Sequence, residues 1–139
     1  MNNNDLSKEA VAAREKAYTP YSNFMVGAAL FTKSGKVYHG CNIENAAYTP
    51  TICAERTAFS KAVSEGERDF SAIAVAGWAQ GGRGGEAFPC GVCRQVMREF
   101  CGPDFKILVV NDENGAFQEY SLDVLLPYGF GPEDLKTDS

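Results

Sequence analysis

The stretch PCGVCRQVMREFCGPDFKILVVN, Pro89 to Asn111, contains a helix signal followed by a strand signal. Its first part opens with proline and closes at glycine, the usual asymmetry of helix ends, and so predicts a helix over Pro89–Gly102. Its second part, Phe105–Asn111, is a continuous apolar run of the kind that is buried on both faces of a sheet. The stretch therefore predicts a helix that leads into a buried strand, as in α/β domains.

The same order of elements occurs once before this stretch. Cys53–Gly66 has the pattern of a helix stopped by glycine, and Phe70–Trp78 follows it as a mostly apolar strand. The flanking segments predict a helix over Asp5–Tyr18, a hairpin of Val26–Thr32 and Lys36–Cys41, a turn at Asn114-Gly115 into a strand over Ala116–Tyr120, and short helices over Ser121–Leu126 and Pro132–Leu135. Helices that alternate with buried strands predict one α/β domain over residues 1–139, with a central sheet covered on both faces.

The composition limits the ligand and the compartment. A net charge of -5 without any basic run disfavours binding to a nucleic-acid polymer and favours a small neutral ligand. No apolar run approaches the roughly 18 residues of a membrane span. The polar N-terminal residues do not resemble a secretory signal, so we expect a cytoplasmic protein without a membrane partner.

The cysteines indicate a metal centre. Their odd number, five, disfavours a disulfide framework and leaves thiols available for a metal. Cys90 and Cys93 lie three residues apart at a predicted helix start, so they share one helical face and can occupy two corners of a tetrahedron. Cys53, at the start of another helix, can supply a third corner. Three protein ligands on one Zn²⁺ leave the fourth position open to water, which is typical of a catalytic site.

Two residues next to Cys53 complete the predicted centre. Glu55 lies two residues further on, and at the mouth of a helix both side chains can reach around the end toward one metal-bound water. Glu55 can then carry protons between this water and a substrate. Arg56 shares a helical face with Cys53 and can donate hydrogen bonds to the negatively charged thiolates. The alternative for Glu55 is a solvated acid that stabilises a helix N-terminus.

The motifs Cys-Ala-Glu-Arg at 53–56 and Pro-Cys-Gly-Val-Cys-Arg-Gln at 89–95 resemble those of the zinc-dependent cytidine deaminases, in the small form with all-cysteine ligands. The Pro-Cys-x-x-Cys signature and its glutamate are known marks of this superfamily. The resemblance extends from about Leu6 to Leu135. It implies a three-layer α/β/α fold around a mixed sheet, and hydrolytic deamination of cytidine and deoxycytidine in pyrimidine salvage.

The resemblance also implies which residues bind the nucleoside. Gly40–Ala46 closely matches the family's nucleoside-binding stretch, so Asn42 and Glu44 are expected to hydrogen-bond the ribose hydroxyls. Phe24 is expected to pack against the pyrimidine, and the Ala54 backbone to help read the base edge. For Asn42 and Glu44 the alternative is a polar cluster that only orders a turn.

A homotetramer with shared active sites is a further implication of the resemblance. In such an assembly Ala46, Tyr48 and Phe130 are expected to reach the site of a neighbouring subunit. Aromatic residues are more generally core or interface residues, so only the resemblance assigns these roles.

Several alternatives remain open from the sequence. Cys41 or Cys101 could close a purely structural zinc site, while His39 reads as a partly buried structural residue. The substrate could be another aminopyrimidine nucleoside such as blasticidin S, or the chain could be a non-catalytic protein that binds zinc and nucleosides. The loop Gln80–Glu86 is longer and richer in glycine than the resemblance leads us to expect, and we predict that it is mobile.

Overall fold

Five strands form one mixed sheet in the computed structural model, which describes residues 1–136. The spatial order is β2-β1-β3-β4-β5, where the strands are β1 Phe24–Thr32, β2 Val37–Cys41, β3 Phe70–Ala79, β4 Lys106–Val110 and β5 Phe117–Ser121. β3 and β4 run parallel, whereas the other neighbouring pairs are antiparallel. The two predicted hairpins, β1–β2 and β4–β5, are therefore confirmed. The prediction of one domain over 1–139 includes residues 137–139, which lie outside the described residues.

The five predicted helices are present, the first four with altered ends and the last with the predicted ends: α1 Asn3–Arg14, α2 Ala54–Ser64, α3 Gly91–Phe100, α4 Leu122–Leu125 and α5 Pro132–Leu135. Within residues 1–136, none of the helices combines the length and the apolar character that crossing a bilayer requires.

The first helix differs most from its prediction. It begins two residues earlier than predicted because the side chain of Asn2 caps it, accepting a hydrogen bond from the backbone N–H of Asp5 at 2.8 Å. It ends at Arg14, so the prediction of helix as far as Tyr18 is wrong for its last four residues. The physical reason is tertiary, because the N–H of Tyr18 donates to the carbonyl of Asn42 at 3.0 Å.

The two faces of the sheet carry different helices, which confirms the three-layer arrangement. Alternate residues of β1 and β3 pack with α2 and α3 on one face, among them Ala28, Leu30, Ile73 and Val75. The intervening residues pack with α1 on the other face, among them Ala29, Ala72, Ala74 and Ala76. Small alanine side chains on this second face allow α1 to lie close to the sheet.

Gly40 of β2 has no side chain, which allows the start of α2 to lie directly against the strand. A Cβ atom at Gly40 would lie 2.2 Å from the carbonyl oxygen of Ala54 and 2.6 Å from the nitrogen of Ala58. The first turn of α2 therefore rests directly on the backbone of β2. Because Cys53 is the N-cap residue of α2, this contact also sets the position of its thiol.

We predict that Gly40→Ala lowers the free energy of unfolding by about 2 kcal/mol, because the added methyl overpacks the contact between β2 and α2. The displaced start of α2 should also weaken metal binding. Urea unfolding and metal content measure the two effects. Gly102→Ala is the matched control, since the nearest atom to its Cβ is an aspartate oxygen at 3.4 Å. Equal stability of the two variants would contradict the prediction.

Candidate active site

Three thiols from two helix starts come together at one end of the sheet. Cys53 and Cys90 are the N-cap residues of α2 and α3, and Cys93 lies in the first turn of α3. The Sγ atoms of Cys53 and Cys90 are 3.8 Å apart, those of Cys90 and Cys93 are 3.5 Å apart, and all three lie within 4.8 Å of one another. Tetrahedral zinc with Zn–S bonds of about 2.3 Å separates its sulfurs by about 3.8 Å. The set therefore fits a zinc ion.

The cluster contains three ligands in the part of the chain that the structure describes. Cys41 and Cys101, the two candidates for a closing fourth ligand, do not belong to it. Cys101 lies in the hydrophobic core, where burial raises the pKa of its thiol to about 12. The Nε2 atom of His39 instead contacts a carboxylate oxygen of Glu9 at 2.9 Å. The geometry therefore favours a centre with an open position over a closed structural site.

Arg56 faces the cluster as its spacing from Cys53 predicts. Its Nη2 lies 3.5 Å from the Cys53 sulfur. Hydrogen bonds from Cys93, and secondarily from Arg56 and Cys90, lower the pKa of Cys53 to about 5. The hydrogen bond to Cys53 in turn raises the pKa of Arg56 above its usual value. Arg56 Nε is buried and has no acceptor among residues 1–136, which is consistent with a side chain aimed at negative charge.

Glu55 is buried at the same helix start, with 4% of its surface exposed. Desolvation by this burial is the main reason that the pKa of its carboxyl is raised to about 7, and the Cys53 thiolate adds to the effect. Its burial argues against the alternative of a solvated acid at a helix N-terminus. A carboxyl with a pKa near 7 can both accept and release a proton at neutral pH.

A cavity of about 190 Å³ opens beside this group. Seven residues that the sequence indicates line it: Phe24, Asn42, Glu44, Cys53, Ala54, Glu55 and Cys90. A larger cavity of about 440 Å³ lies near the opposite end of β3, around Phe70 and Lys106, and no residue of the sulfur cluster lines it. The smaller cavity is the candidate active site because it combines metal ligands, a buried carboxyl and apolar walls.

The polar residues at the cavity mouth also order the local backbone. Asn42 accepts a hydrogen bond from the N–H of Val26 through Oδ1 and donates to the carbonyl of Phe24 through Nδ2, both at 2.9 Å. Glu44 accepts from the N–H groups of residues 21 and 22 at 2.9 and 3.1 Å, and also from the Ser22 hydroxyl. The Ser22 contact is the main cause that lowers the pKa of Glu44. The turn-ordering alternative therefore describes these contacts correctly, yet both side chains still border the cavity.

The residues expected to act between subunits lie on the surface, outside this cavity. Ala46 is exposed, and the side chains of Tyr48 and Phe130 are 78% and 57% exposed. Tyr48 borders an adjoining cavity that it shares with Glu44. The carbonyl of Phe130 accepts a hydrogen bond from Gln95 at 2.8 Å, which ties the C-terminal segment to α3. Their contribution to a neighbouring site stays a prediction.

Sequence reasoning missed the apolar residues that complete the wall. Val26 and Val75 line the cavity from β1 and β3. The signal for Val26 was available, because it lies two residues after Phe24 and so on the same face of the strand.

Two further wall residues, Ala87 and Phe88, directly follow the glycine-rich loop Gln80–Glu86. This loop is held by backbone hydrogen bonds to the β4–β5 connection, from Gly85 N–H to Asn111 O at 3.0 Å and from Glu113 N–H to Arg83 O at 2.9 Å. These bonds anchor the loop that the sequence predicts to be mobile.

Comparisons with known proteins agree with this geometry. Residues 1–109 match the family model described as the cytidine and deoxycytidylate deaminase zinc-binding region. The chain is 51% identical over 130 residues to a cytidine deaminase of Sporosarcina psychrophila, covering 94% of this chain and 92% of the relative. It is 51% identical over 135 residues to that of Halalkalibacterium halodurans, covering 97% and 98%.

Two solved structures give the same result for the fold. The crystal structure of cytidine deaminase from Burkholderia pseudomallei matches with a TM-score of 0.84 at 48% identity, covering 94% of this chain and all of that one. That of Mycobacterium tuberculosis matches with a TM-score of 0.78 at 34% identity, covering 95% and 99%.

We predict that replacing any of Cys53, Cys90 or Cys93 by alanine reduces bound zinc well below one ion per chain, because two thiolates cannot hold the ion as three do. Elemental analysis of the purified protein measures the stoichiometry. Cys41→Ala is the matched control, since its sulfur lies outside the cluster. Retention of full zinc in a cluster variant, or its loss in the control, would show that the ligands are assigned wrongly.

Proposed function

The chain belongs to the cytidine and deoxycytidylate deaminase family, and from that premise we propose that it hydrolyses the exocyclic amine of cytidine and deoxycytidine. The products are uridine or deoxyuridine and ammonia. The observation that carries the proposal is the buried Glu55 carboxyl, which shares one cavity wall with the thiol ligands Cys53 and Cys90.

Cys53, Cys90 and Cys93 would hold a zinc ion, which would supply a Lewis acid able to lower the pKa of water toward about 7. Arg56 offsets the negative charge of the ligands through its contact with Cys53. The N-termini of α2 and α3 contribute in the same direction, because unpaired N–H groups and the helix dipole stabilise thiolates there.

Glu55 is the proton carrier in this proposal. It takes a proton from the attacking water and passes it to ring N3 as the oxygen bonds to C4. It then takes the remaining proton from the new C4 hydroxyl and delivers it to the amine, so that the C4 carbonyl forms as the C–N bond breaks and ammonia leaves. A carboxyl with its pKa raised to about 7 suits both directions of transfer. Because 4% of its surface is exposed, bulk water does not compete for these protons.

The remaining wall residues orient the nucleoside. Phe24 packs against the pyrimidine, and the Ala54 backbone reads the base edge. Asn42 and Glu44 bind the ribose hydroxyls with the hydrogen-bonding capacity that their backbone contacts leave free. Their existing hydrogen bonds support this role, since a side chain that is already fixed loses little entropy on binding.

We further propose a homotetramer in which Ala46, Tyr48 and Phe130 reach the site of a neighbouring subunit. The exposure of the two aromatic side chains supports it, because aromatic residues are enriched at interfaces between subunits. A cytoplasmic location is also proposed, since all five cysteines are free and a reducing compartment keeps thiol ligands available.

We predict that Glu55→Gln retains zinc but lowers kcat for cytidine at least about 10²-fold, because the amide cannot carry protons. The ultraviolet absorbance of cytidine and the release of ammonia follow the reaction, and elemental analysis follows the metal. Glu99→Gln on the exposed side of α3 is the matched control and should keep wild-type turnover.

Other outcomes separate the alternatives. Undiminished turnover by Glu55→Gln would overturn the proton-carrier role. Wild-type protein that is loaded with zinc, inert toward cytidine and active on blasticidin S would change the substrate. Inertness toward both would leave a non-catalytic zinc protein.

We predict that Phe130→Ala and Glu55→Gln subunits complement one another when co-expressed. In a mixed tetramer, a site with intact Glu55 in one subunit regains Phe130 from its neighbour, so activity should exceed the sum of the two parent variants. The control pairs Phe130→Ala subunits with the Glu55→Gln/Phe130→Ala double variant, which cannot rebuild an intact site. A monomeric mass by light scattering, or equal activities of both mixtures, would contradict the shared site.

A further inference from the structure

We infer that Arg14 is a positioning residue for the nucleoside cavity, which fixes the ends of β1 and β3 from the opposite face of the sheet. The predicted effect of Arg14 on the kinetics rests on the proposed function, because it is measured as a change in nucleoside binding. Its structural consequence, a clamp on two strand ends, does not depend on any reaction.

The guanidinium of Arg14 is bonded to both strands at once. Nε donates to the carbonyl of Met25 at 3.0 Å, and Nη2 donates to the carbonyls of Trp78 and Ala79 at 2.8 and 3.0 Å. Met25 pairs with Trp78 in the β1–β3 ladder, and Phe24 pairs with Ala79 at its last position. One side chain therefore joins the two strands where their pairing ends.

A general need for charge pairing does not explain this residue. Arg14 is 5% exposed, and the carboxylate nearest to it, on Glu15, is 3.5 Å away on a side chain that is 69% exposed. Its guanidinium lies 4.6 Å from the ring centroid of Trp78. A buried cation is costly unless its donors are used, and here Nε and Nη2 donate to backbone carbonyls while Nη1 donates to Glu15. The planar fork of arginine can reach several acceptors in fixed directions, which the single ammonium of lysine cannot reproduce.

The backbone that carries this side chain has no room to shift toward the sheet. A Cβ atom at Gly27 would lie 2.2 Å from the nitrogen of Arg14 and 2.3 Å from the carbonyl oxygen of Ala10. The last turn of α1 is therefore in direct contact with β1. The guanidinium therefore reaches the strand ends from a backbone position that is fixed against β1.

These strand ends carry one wall of the cavity. Phe24 and Val26 line it from β1, and the loop that follows Ala79 returns to it with Ala87 and Phe88. The loop starts with a hydrogen bond from the N–H of residue 80 to the carbonyl of residue 23 at 2.7 Å, next to the clamp.

The loop also packs against β3 without spare space. A Cβ at Gly77 would lie 2.6 Å from the Cβ of Ala87, so any displacement of the end of β3 moves the wall. Cys53, Cys90 and Glu55 belong to the starts of α2 and α3 on the other face and have no contact with Arg14 among the described hydrogen bonds. Loss of the clamp should therefore impair binding and leave the chemistry intact.

The experiment compares zinc-loaded Arg14→Met, Arg14→Lys and Arg68→Met with the wild type. Methionine keeps an apolar stem and removes every donor. We expect Arg14→Met to raise KM for cytidine at least about fivefold with kcat changed less than about twofold, the signature of lost binding that is equal in the ground and transition states. Arg14→Lys should lie between it and the wild type. Arg68 is the matched control, because its Nη1 also bonds two carbonyls, both at 2.8 Å, on the exposed surface away from the cavity.

A second measurement is independent of activity. Amide hydrogen exchange at Val26 and Gln80 should be faster in Arg14→Met than in Arg68→Met, because the clamp no longer holds the strand ends. Emission from Trp78, the single tryptophan, reports whether the region around the clamp has changed. If Arg14→Met does not fold, Arg14→Lys takes its place in both measurements.

The outcomes separate this inference from the proposed function. Unchanged KM together with unchanged exchange would overturn the clamp, as would a joint loss of kcat and zinc, which indicates a general structural role. If the wild type neither deaminates nor binds cytidine, the proposed function fails. The exchange comparison then still decides whether Arg14 holds the strand ends.

Discussion

The meeting of two helix starts over one end of the sheet is the constraint on which the site depends. Three thiols can lie within 4.8 Å of one another only if the N-terminus of α2 reaches that of α3. Bringing three thiolates together is electrostatically unfavourable without compensation. Helix N-termini provide part of it through their unpaired N–H groups, and Arg56 provides another part through its contact with Cys53. The same packing buries Glu55, so the desolvation that raises its pKa results from the placement of the metal ligands.

The fold meets this constraint through two close contacts between a helix backbone and a strand backbone, each too close to admit a side chain. At Gly40 the backbone of β2 touches the first turn of α2, and at Gly27 the backbone of β1 touches the last turn of α1. A methyl group at either position would overlap backbone atoms. These direct backbone contacts fix the distance of α1 and of α2 from the sheet. This precision matters more at the metal cluster than elsewhere, because sulfur positions must agree with tetrahedral geometry within a few tenths of an ångström.

Local signals explain how much of the site could be predicted from the sequence. Cys90 and Cys93 are three residues apart, and their proximity follows from helical geometry alone. Cys53 could be added because it stands at another helix start, although its distance from Cys90 depends on tertiary packing. The nucleoside residues came from resemblance, since nothing in the spacing of Asn42 and Glu44 distinguishes a ribose contact from a turn.

The wrong end predicted for α1 has a different cause, and so do the loop contacts that the sequence did not indicate. The end of α1 is set by a backbone bond between Tyr18 and Asn42, and the glycine-rich loop is held by backbone bonds to the β4–β5 connection. Backbone pairing of distant segments leaves no side-chain pattern to recognise. Arg14 resembles an ordinary basic residue in the last turn of a helix, where cations are common. Its burial and its three carbonyl acceptors become evident only once β1 and β3 are seen to end beside it.

The thiol cluster and Arg14 lie on opposite faces of the sheet. The three thiols and Glu55 come from the starts of α2 and α3 on one face, whereas α1 braces the ends of β1 and β3 from the other. A brace made of apolar contacts would tolerate sliding, because dispersion and burial have little directional preference. Hydrogen bonds to carbonyls on two strands resist it, since each weakens steeply when its angle departs from linearity. A buried arginine that donates to carbonyls on both strands therefore holds the strand ends together in a way that a hydrophobic residue of the same volume cannot.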